Sequence, residues 1–191
     1  MNNKIAVMAS GKGSNLQVIL DAIKRGDCAA QVEVVICNKA DAGALQIAKD
    51  AAVPQVLFIN PKDYDNRKAY DLACADVIKK SGCALIVLAG YMRILSPEFI
   101  QAFPNQIINI HPSLLPAFKG ADAVGEALKA GVKVSGCTVH YVTEELDSGK
   151  VLAQASVPVL DGDDWGSLHL RIQAKEHEIY PLVIQRLLDN A

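Results

Sequence analysis

This chain has no long hydrophobic run, no paired-cysteine motif and no surplus of one charge sign, and each absence removes a class of function. Its apolar stretches stop well short of the roughly 20 residues that a membrane-spanning helix needs, so no partnership with a membrane is expected. The five cysteines, at 28, 37, 74, 83 and 137, include no C-x-x-C pair and no histidine at zinc-ligand spacing. An odd number scattered through apolar segments reads as reduced core thiols, not as a disulfide framework or a metal site. Lys plus Arg number 19 against 21 Asp plus Glu, a formal net charge of −2, which argues against a dedicated nucleic-acid or membrane-surface binder. Any anionic ligand must therefore be held by local groups. Met1 to Ile5 enters a strand at once, with no signal-peptide core, and a cytoplasmic protein is expected.

What is present is an alternation of short apolar runs and helical patterns. At 191 residues, 51% of them hydrophobic and 21% charged, the chain suits one globular domain, or two lobes sharing a sheet. Strands are expected at Ile5–Met8, Val32–Cys37, Val56–Ile59, Ala84–Ala89 and Gln106–Ile110. Helices fall between them at Leu16–Ile23, Ala42–Ala51, Arg67–Lys80 and shortly after Ser96-Pro97. Uninterrupted apolar strands alternating with helices indicate a parallel sheet covered on both faces. The second half differs: a helix over Ala123–Ala130, strands at Val139–Val142 and Val151–Val159 forming an antiparallel hairpin, and a helix over Ser167–Leu188. The fold class is thus α/β, mostly parallel and twisted with an antiparallel C-terminal portion. A single domain is expected over 1–191, with a phosphate-binding half at 1–100 and a second half at 101–191.

Three segments carry chemistry. Gly11-x-Gly13-Ser14-Asn15 joins a strand to a helix, where glycines allow close backbone approach and the helix N-terminus offers free N–H groups. A monophosphate site and a plain helix cap both fit. A dinucleotide site does not, because Leu16 replaces the third glycine and Cys37-Asn38 lacks the ribose-binding carboxylate. Ala89 to Leu95 follows the most apolar strand, and its single Arg93 among apolar residues suits a flat ligand held largely by backbone groups. The third segment is Ile107 to Pro116. Here an apolar strand ends in Asn109 and His111, fixed by a proline-rich turn. An amide beside an ionisable ring can polarise a reacting carbonyl, or it can be a polar strand end. His140 reads as packing or loop-orienting, and His169 and His177 as surface or packing residues. Asp163-Asp164 and Glu144-Glu145 read as solvated charge, not metal ligands.

Gly11 to Asn15, Ala89 to Leu95, Asn109 to Pro116, Gly136 to Asp147 and Arg171 to Pro181 resemble the phosphoribosylglycinamide formyltransferases, folate-dependent enzymes of purine synthesis. The resemblance implies a three-layer Rossmann-like formyltransferase fold, with 101–191 as the catalytic and folate-binding half. It implies that Asn109, His111 and Asp147 are catalytic. Gly13, Ser14 and Asn15 would hold the phosphate of glycinamide ribonucleotide, and Gln173 and Glu176 its ribosyl-glycinamide part. Arg67, Met92, Arg93, Ile94, Leu95, His140, Val142 and Thr143, with Asn109 and Asp147, would line the site of 10-formyltetrahydrofolate, the formyl donor. The implied partners are these small molecules, with no metal and no nucleic acid, in a monomer or homodimer. Lys12, Lys119, Ala121 and Ala123 depart from commoner family choices.

The chemistry follows from those groups. A neutral amine adding to a formyl carbon generates an oxyanion, which Asn109 and a protonated His111 would stabilise. Asp147 near the ring would favour its charged form. No covalent enzyme intermediate is required. A formyltetrahydrofolate hydrolase would use the same three residues but carry an N-terminal regulatory domain, and a methionyl-tRNA formyltransferase would add a basic C-terminal domain. Neither extension is expected in this chain. A non-catalytic nucleotide-binding module is the reading from a different class.

Overall fold

The computed structural model describes residues 2–190. Seven strands form one mixed sheet: β1 (Lys4–Ala9), β2 (Gln31–Cys37), β3 (Gln55–Phe58), β4 (Leu85–Leu88), β5 (Ile107–His111), β6 (Val134–Tyr141) and β7 (Val151–Pro158). Their order across the sheet is β3-β2-β1-β4-β5-β6-β7. The first five are parallel, and β6 and β7 are antiparallel additions. Helices α1 (Ser14–Arg25), α2 (Gly43–Asp50), α3 (Arg67–Ser81) and α4 (Pro97–Ala102) provide the crossovers between the parallel strands. Helix α5 (Ala123–Ala130) precedes β6, and α6 (Trp165–Asp189) closes the chain.

The strand sequences explain the layers. Successive side chains point to opposite faces, so Ile5, Val7 and Ala9 of β1 enter one core while Ala6 and Met8 enter the other. The first core is covered by α1, α2, α5 and α6, the second by α3 and α4. Such burial on both faces is why these strands lack polar alternation.

The chain leaves β1 in one direction to β2, while β4 lies on its other side. In open α/β sheets, ligands bind at such a reversal, beyond the carboxyl ends of the strands. The loops after β1, β4 and β5 all emerge there. Tyr180 of α6 fixes that region from below, donating its buried hydroxyl to the carbonyls of Leu88 (2.8 Å) and Ile108 (3.3 Å).

The expected elements are present, with one displaced boundary. β6 begins at Val134, several residues before the expected Val139. Ser135 and Thr138 interrupt any apolar pattern yet are buried, because the strand is sandwiched between β5 and β7. Gly136 lets β7 come close: a Cβ there would collide with the Ala155 carbonyl. The acidic pair before α6 is structural, not merely solvated. Asp164 forms a capping box with Ser167, and Asp163 pairs with Arg171 at 2.7 Å.

Candidate active site

Asn109 and His111 lie two residues apart on β5, so both side chains leave the same face. The antiparallel register sets His140 of β6 opposite Asn109, and Thr138 opposite His111. This pairing turns a histidine distant in sequence into a direct neighbour. The His140 Nδ1 lies 2.9 Å from the Tyr141 carbonyl. A carbonyl only accepts, so the proton sits on Nδ1. Nε2 is then free to accept from the Asn109 side-chain amide, 3.3 Å away. Burial holds the His140 imidazole below its ordinary range, against the opposing pull of the Tyr141 carbonyl and Asp147. A neutral ring that orients the Asn109 amide is the result.

The same reasoning assigns the His111 proton. Its Nε2 lies 2.8 Å from the Phe118 carbonyl and must donate to it. Nδ1 is left without a main-chain partner and faces Asp147 Oδ2 at 3.5 Å. Asp147 comes from the loop between β6 and β7, with φ of 48°, a left-handed conformation that Asp tolerates better than most residues. Its carboxylate is held by the Gly120 N–H at 2.8 Å and also lies 3.8 Å from His140 Nε2. Asn109, His111 and Asp147 thus converge, with His140 as a fourth member.

The turn after β5 is anchored to β6. Thr138 Oγ1 accepts from Leu115 N (3.0 Å) and Gln154 Nε2 (3.0 Å) and donates to the Ser113 carbonyl (2.7 Å). These bonds present the Phe118 carbonyl and the Gly120 amide to His111 and Asp147. Both are main-chain groups, which any residue type carries, so no side-chain chemistry beyond the glycine itself marks them.

A cavity of about 450 Å³ opens in front of this cluster. Met92, Arg93, Ile94, Leu95, Asn109, His140, Val142, Thr143 and Asp147 all line it, and so do Ile100 and Gly120. Arg67 is not among the lining residues; it is the exposed first residue of α3. Behind the 92–95 segment, Arg93 stacks over the Tyr70 ring at 4.7 Å, and buried Asp71 accepts from Ser96 N at 2.6 Å. Burial pushes the Asp71 carboxyl up, and the Ser96 bond pulls it back. Asp71 is a support for this loop that the sequence pattern did not single out.

On the other side lies the first glycine loop. Gly13 adopts φ of 84° as the residue before α1, and no side chain caps that helix. Neither Ser14 nor Asn15 caps the helix, and its N-terminal amides carry no side-chain partner. Gly13 is obligatory in its place: a Cβ would lie 2.8 Å from Ala44 Cα. Gln173 Nε2 donates to Ser14 Oγ (3.2 Å), and Asn15 Nδ2 donates to Glu176 Oε2 (3.1 Å). Glu176 is only 6% exposed, and burial pushes its carboxyl up. Ser10 ties the two sides together, donating its N–H to the Gly90 carbonyl (3.1 Å) while its Oγ accepts from Met92 N (2.8 Å).

A largely apolar cavity and a helix N-terminus without a side-chain cap thus accompany one amide–imidazole–carboxylate cluster, the makings of a group-transfer enzyme. The formyl transferase family model matches residues 3–184, and the chain belongs to that family of enzymes. Within it, several full-length relatives are named phosphoribosylglycinamide formyltransferase. The Haemophilus influenzae protein of that name is 45% identical over 194 residues, an alignment covering 98% of this chain and 91% of that protein. The human trifunctional purine biosynthetic protein adenosine-3 is 43% identical over 182 residues, 95% of this chain but 18% of that much longer protein. The crystal structure of glycinamide ribonucleotide transformylase 1 from Symbiobacterium toebii matches with a TM-score of 0.96 and 47% identity, covering 99% of this chain and 89% of that one.

Proposed function

We propose that this chain, acting as one catalytic domain, transfers the formyl group of 10-formyltetrahydrofolate to the amino group of N1-(5-phospho-D-ribosyl)glycinamide. The products are the N-formyl compound and tetrahydrofolate. The observation that carries this reading is the convergence of Asn109, His111 and Asp147 on the wall of a cavity of about 450 Å³, with an uncapped helix N-terminus following β1 of the same sheet. The cavity has the size and the mixed apolar and polar lining of a small-molecule site. The loop at Gly13, Ser14 and Asn15 supplies the amides for one phosphate. Glu176, buried beside Asn15, suits the substrate's amino group.

The transfer is direct. The substrate amine adds to the formyl carbon, forming a new C–N bond, and the carbonyl oxygen takes the negative charge. Asn109, its amide oriented by His140, donates to that oxygen. His111, fixed through Nε2, takes the amine's proton at Nδ1 and presents that N–H to the oxygen as a second donor. Collapse breaks the bond from the formyl carbon to the folate nitrogen. One proton passes from the amine to that nitrogen through Nδ1 and Asp147. Each oxyanion donor is worth about 2.7–4 kcal/mol in the transition state.

The test is turnover of 10-formyltetrahydrofolate by purified protein, followed by absorbance with and without the amine substrate. Turnover that requires the amine, with a formylated product of the expected mass, is predicted. Turnover without it would point to a hydrolase, and no turnover in either case to a binding module.

A further inference from the structure

The loop that carries Asp147 is closed at its base by main-chain bonds. Tyr141 N donates to the Lys150 carbonyl (3.0 Å) and Val142 N to the Ile107 carbonyl (2.9 Å). Gly149 lets the two arms meet there, because a Cβ on it would collide with the Tyr141 carbonyl. Beyond the base, residues 143–146 are exposed and border the cavity. Among the described residues, two side chains from outside the loop hydrogen-bond to it. Gln101 of α4 reaches Glu144 at 2.9 Å, on the arm that leaves β6. Lys119 reaches the turn around Asp147: its Nζ donates to Ser148 Oγ at 2.5 Å and lies 3.7 Å from Glu145 Oε1.

The Ser148 contact acts on Asp147 directly. Asp147 sits at the centre of a tight turn, at φ of 48°. Across that turn Ser148 Oγ donates its proton to the Leu146 carbonyl at 2.8 Å, which leaves the hydroxyl oxygen to accept from the ammonium. A donor arriving at that oxygen strengthens the bond the hydroxyl makes onward. Lys119 also stands between the two main-chain groups that hold His111 and Asp147. Phe118, at φ of 54°, offers its carbonyl to His111 Nε2, and Gly120 gives its N–H to Asp147 Oδ2, both at 2.8 Å. Phe118 and Asp147 thus hold left-handed backbone, which a residue other than glycine keeps only where its surroundings impose it. The Lys119 side chain fastens one of these turns to the other.

We infer that Lys119 is a positioning residue for formyl transfer. Through Ser148 it clamps the Asp147 turn to the Phe118–Gly120 turn and so fixes Asp147 against the His111 ring. The inference rests on the assignment of that chemistry to Asn109, His111 and Asp147. Lys119 does not line the cavity, and Gln101 holds the other arm of the loop without it, so its effect falls on the chemical step more than on binding. The Ser148 bond carries that effect. The Glu145 contact adds little, because the pair is long and the Glu145 side chain is 79% exposed.

The experiment compares wild type, K119M, K119R, S148A and the double variant K119M/S148A. It reads kcat and KM for both substrates, Tm, and amide hydrogen exchange over residues 143–150 by mass spectrometry. Methionine keeps the aliphatic stem of Lys119, and arginine keeps a charged donor. K119M is expected to lower kcat roughly 10-fold while each KM moves by less than about twofold. Exchange in 143–150 should quicken, and Tm should stay within about 2 °C, as for other partly exposed contacts. K119R should recover most of the lost kcat. The double variant should be about as slow as S148A alone, because both substitutions break one bond. Wild-type kcat in K119M overturns the inference. So does a loss that arginine does not recover, that multiplies with the S148A loss, or that follows a general fall in Tm. A wild type without amine-dependent turnover removes the formyl-transfer reading instead; faster exchange in K119M then still upholds the clamp, and unchanged exchange overturns it.

Discussion

Replacing Glu176 by glutamine should make the protein more stable and less active. Glu176 is 6% exposed, and its carboxylate has one protein partner, the Asn15 amide at 3.1 Å. Burial raises its pKa, and the Asn15 bond opposes the rise. The raised value means that the folded state holds this proton more tightly than the unfolded chain. The penalty is therefore absent below the unfolded pKa and fully present once pH exceeds the folded one. Glutamine removes the charge, keeps an acceptor for Asn15 Nδ2, and adds an N–H₂ beside Asn15 Oδ1, which is now enclosed and unpartnered. Meeting that acceptor and relieving the charge should stabilise by about 1–2 kcal/mol. For a chain of this size that raises Tm by roughly 2–8 °C. The gain should be largest near neutral pH and shrink as pH falls through the carboxylate range. Activity should move the other way. A hydrogen bond donated by the substrate's amino group to a carboxylate is worth about 1.5–3 kcal/mol, so kcat/KM should fall roughly 10- to 150-fold. Thermal denaturation at two pH values, with steady-state kinetics on the same preparation, reads both arms. A variant with lower Tm and undiminished kcat/KM would refute the reasoning, because Glu176 would then be a structural carboxylate.

Three further outcomes follow from the geometry. H140A leaves the Asn109 amide without its acceptor and should lower kcat by about fivefold, or ~1 kcal/mol. The lowered His140 pKa means the folded state resists a proton that the unfolded chain accepts, so stability from this group is complete above the unfolded value and is lost as pH falls toward the folded one; H140A should lessen that acid-side loss in a Tm-versus-pH series. T138V removes three hydrogen bonds, two of them buried, and should destabilise by about 3 kcal/mol, a Tm drop of roughly 6–12 °C by calorimetry. G13A forces a Cβ to within 2.8 Å of Ala44 Cα at φ of 84°, a strain of about 1–3 kcal/mol; KM for the phosphorylated substrate should rise while folate binding, measured by fluorescence titration, persists.

The sequence disclosed the parallel half of the fold because buried strands and amphipathic helices write different periods. β6 was only partly legible: Ser135, Gly136 and Thr138 sit in a strand buried on both sides, where smallness matters more than hydropathy. Asn109 and His111 could be picked out as polar residues ending an apolar strand. His140 could not, because its role depends on a register with β5 that no local pattern encodes. Asp147 carries no local signal and came from family resemblance alone. The Phe118 carbonyl and Gly120 amide were invisible, since backbone groups are common to all residues. Asp71 and the caps at Asp163 and Asp164 look like ordinary surface acids until the loops they hold are folded around them.

The central claim is that Asn109, His111 and Asp147 act as one unit on a single formyl group, and a double-mutant cycle on His111 and Asp147 tests it most directly. The rate of formyl transfer in a single turnover would be measured for wild type, H111A, D147N and the double variant, with binding saturated. The account predicts a strongly non-additive result, the double variant being about as slow as the slower single variant. Losses that simply multiply would contradict it, because His111 and Asp147 would then contribute independently, and their 3.5 Å approach would be a structural contact.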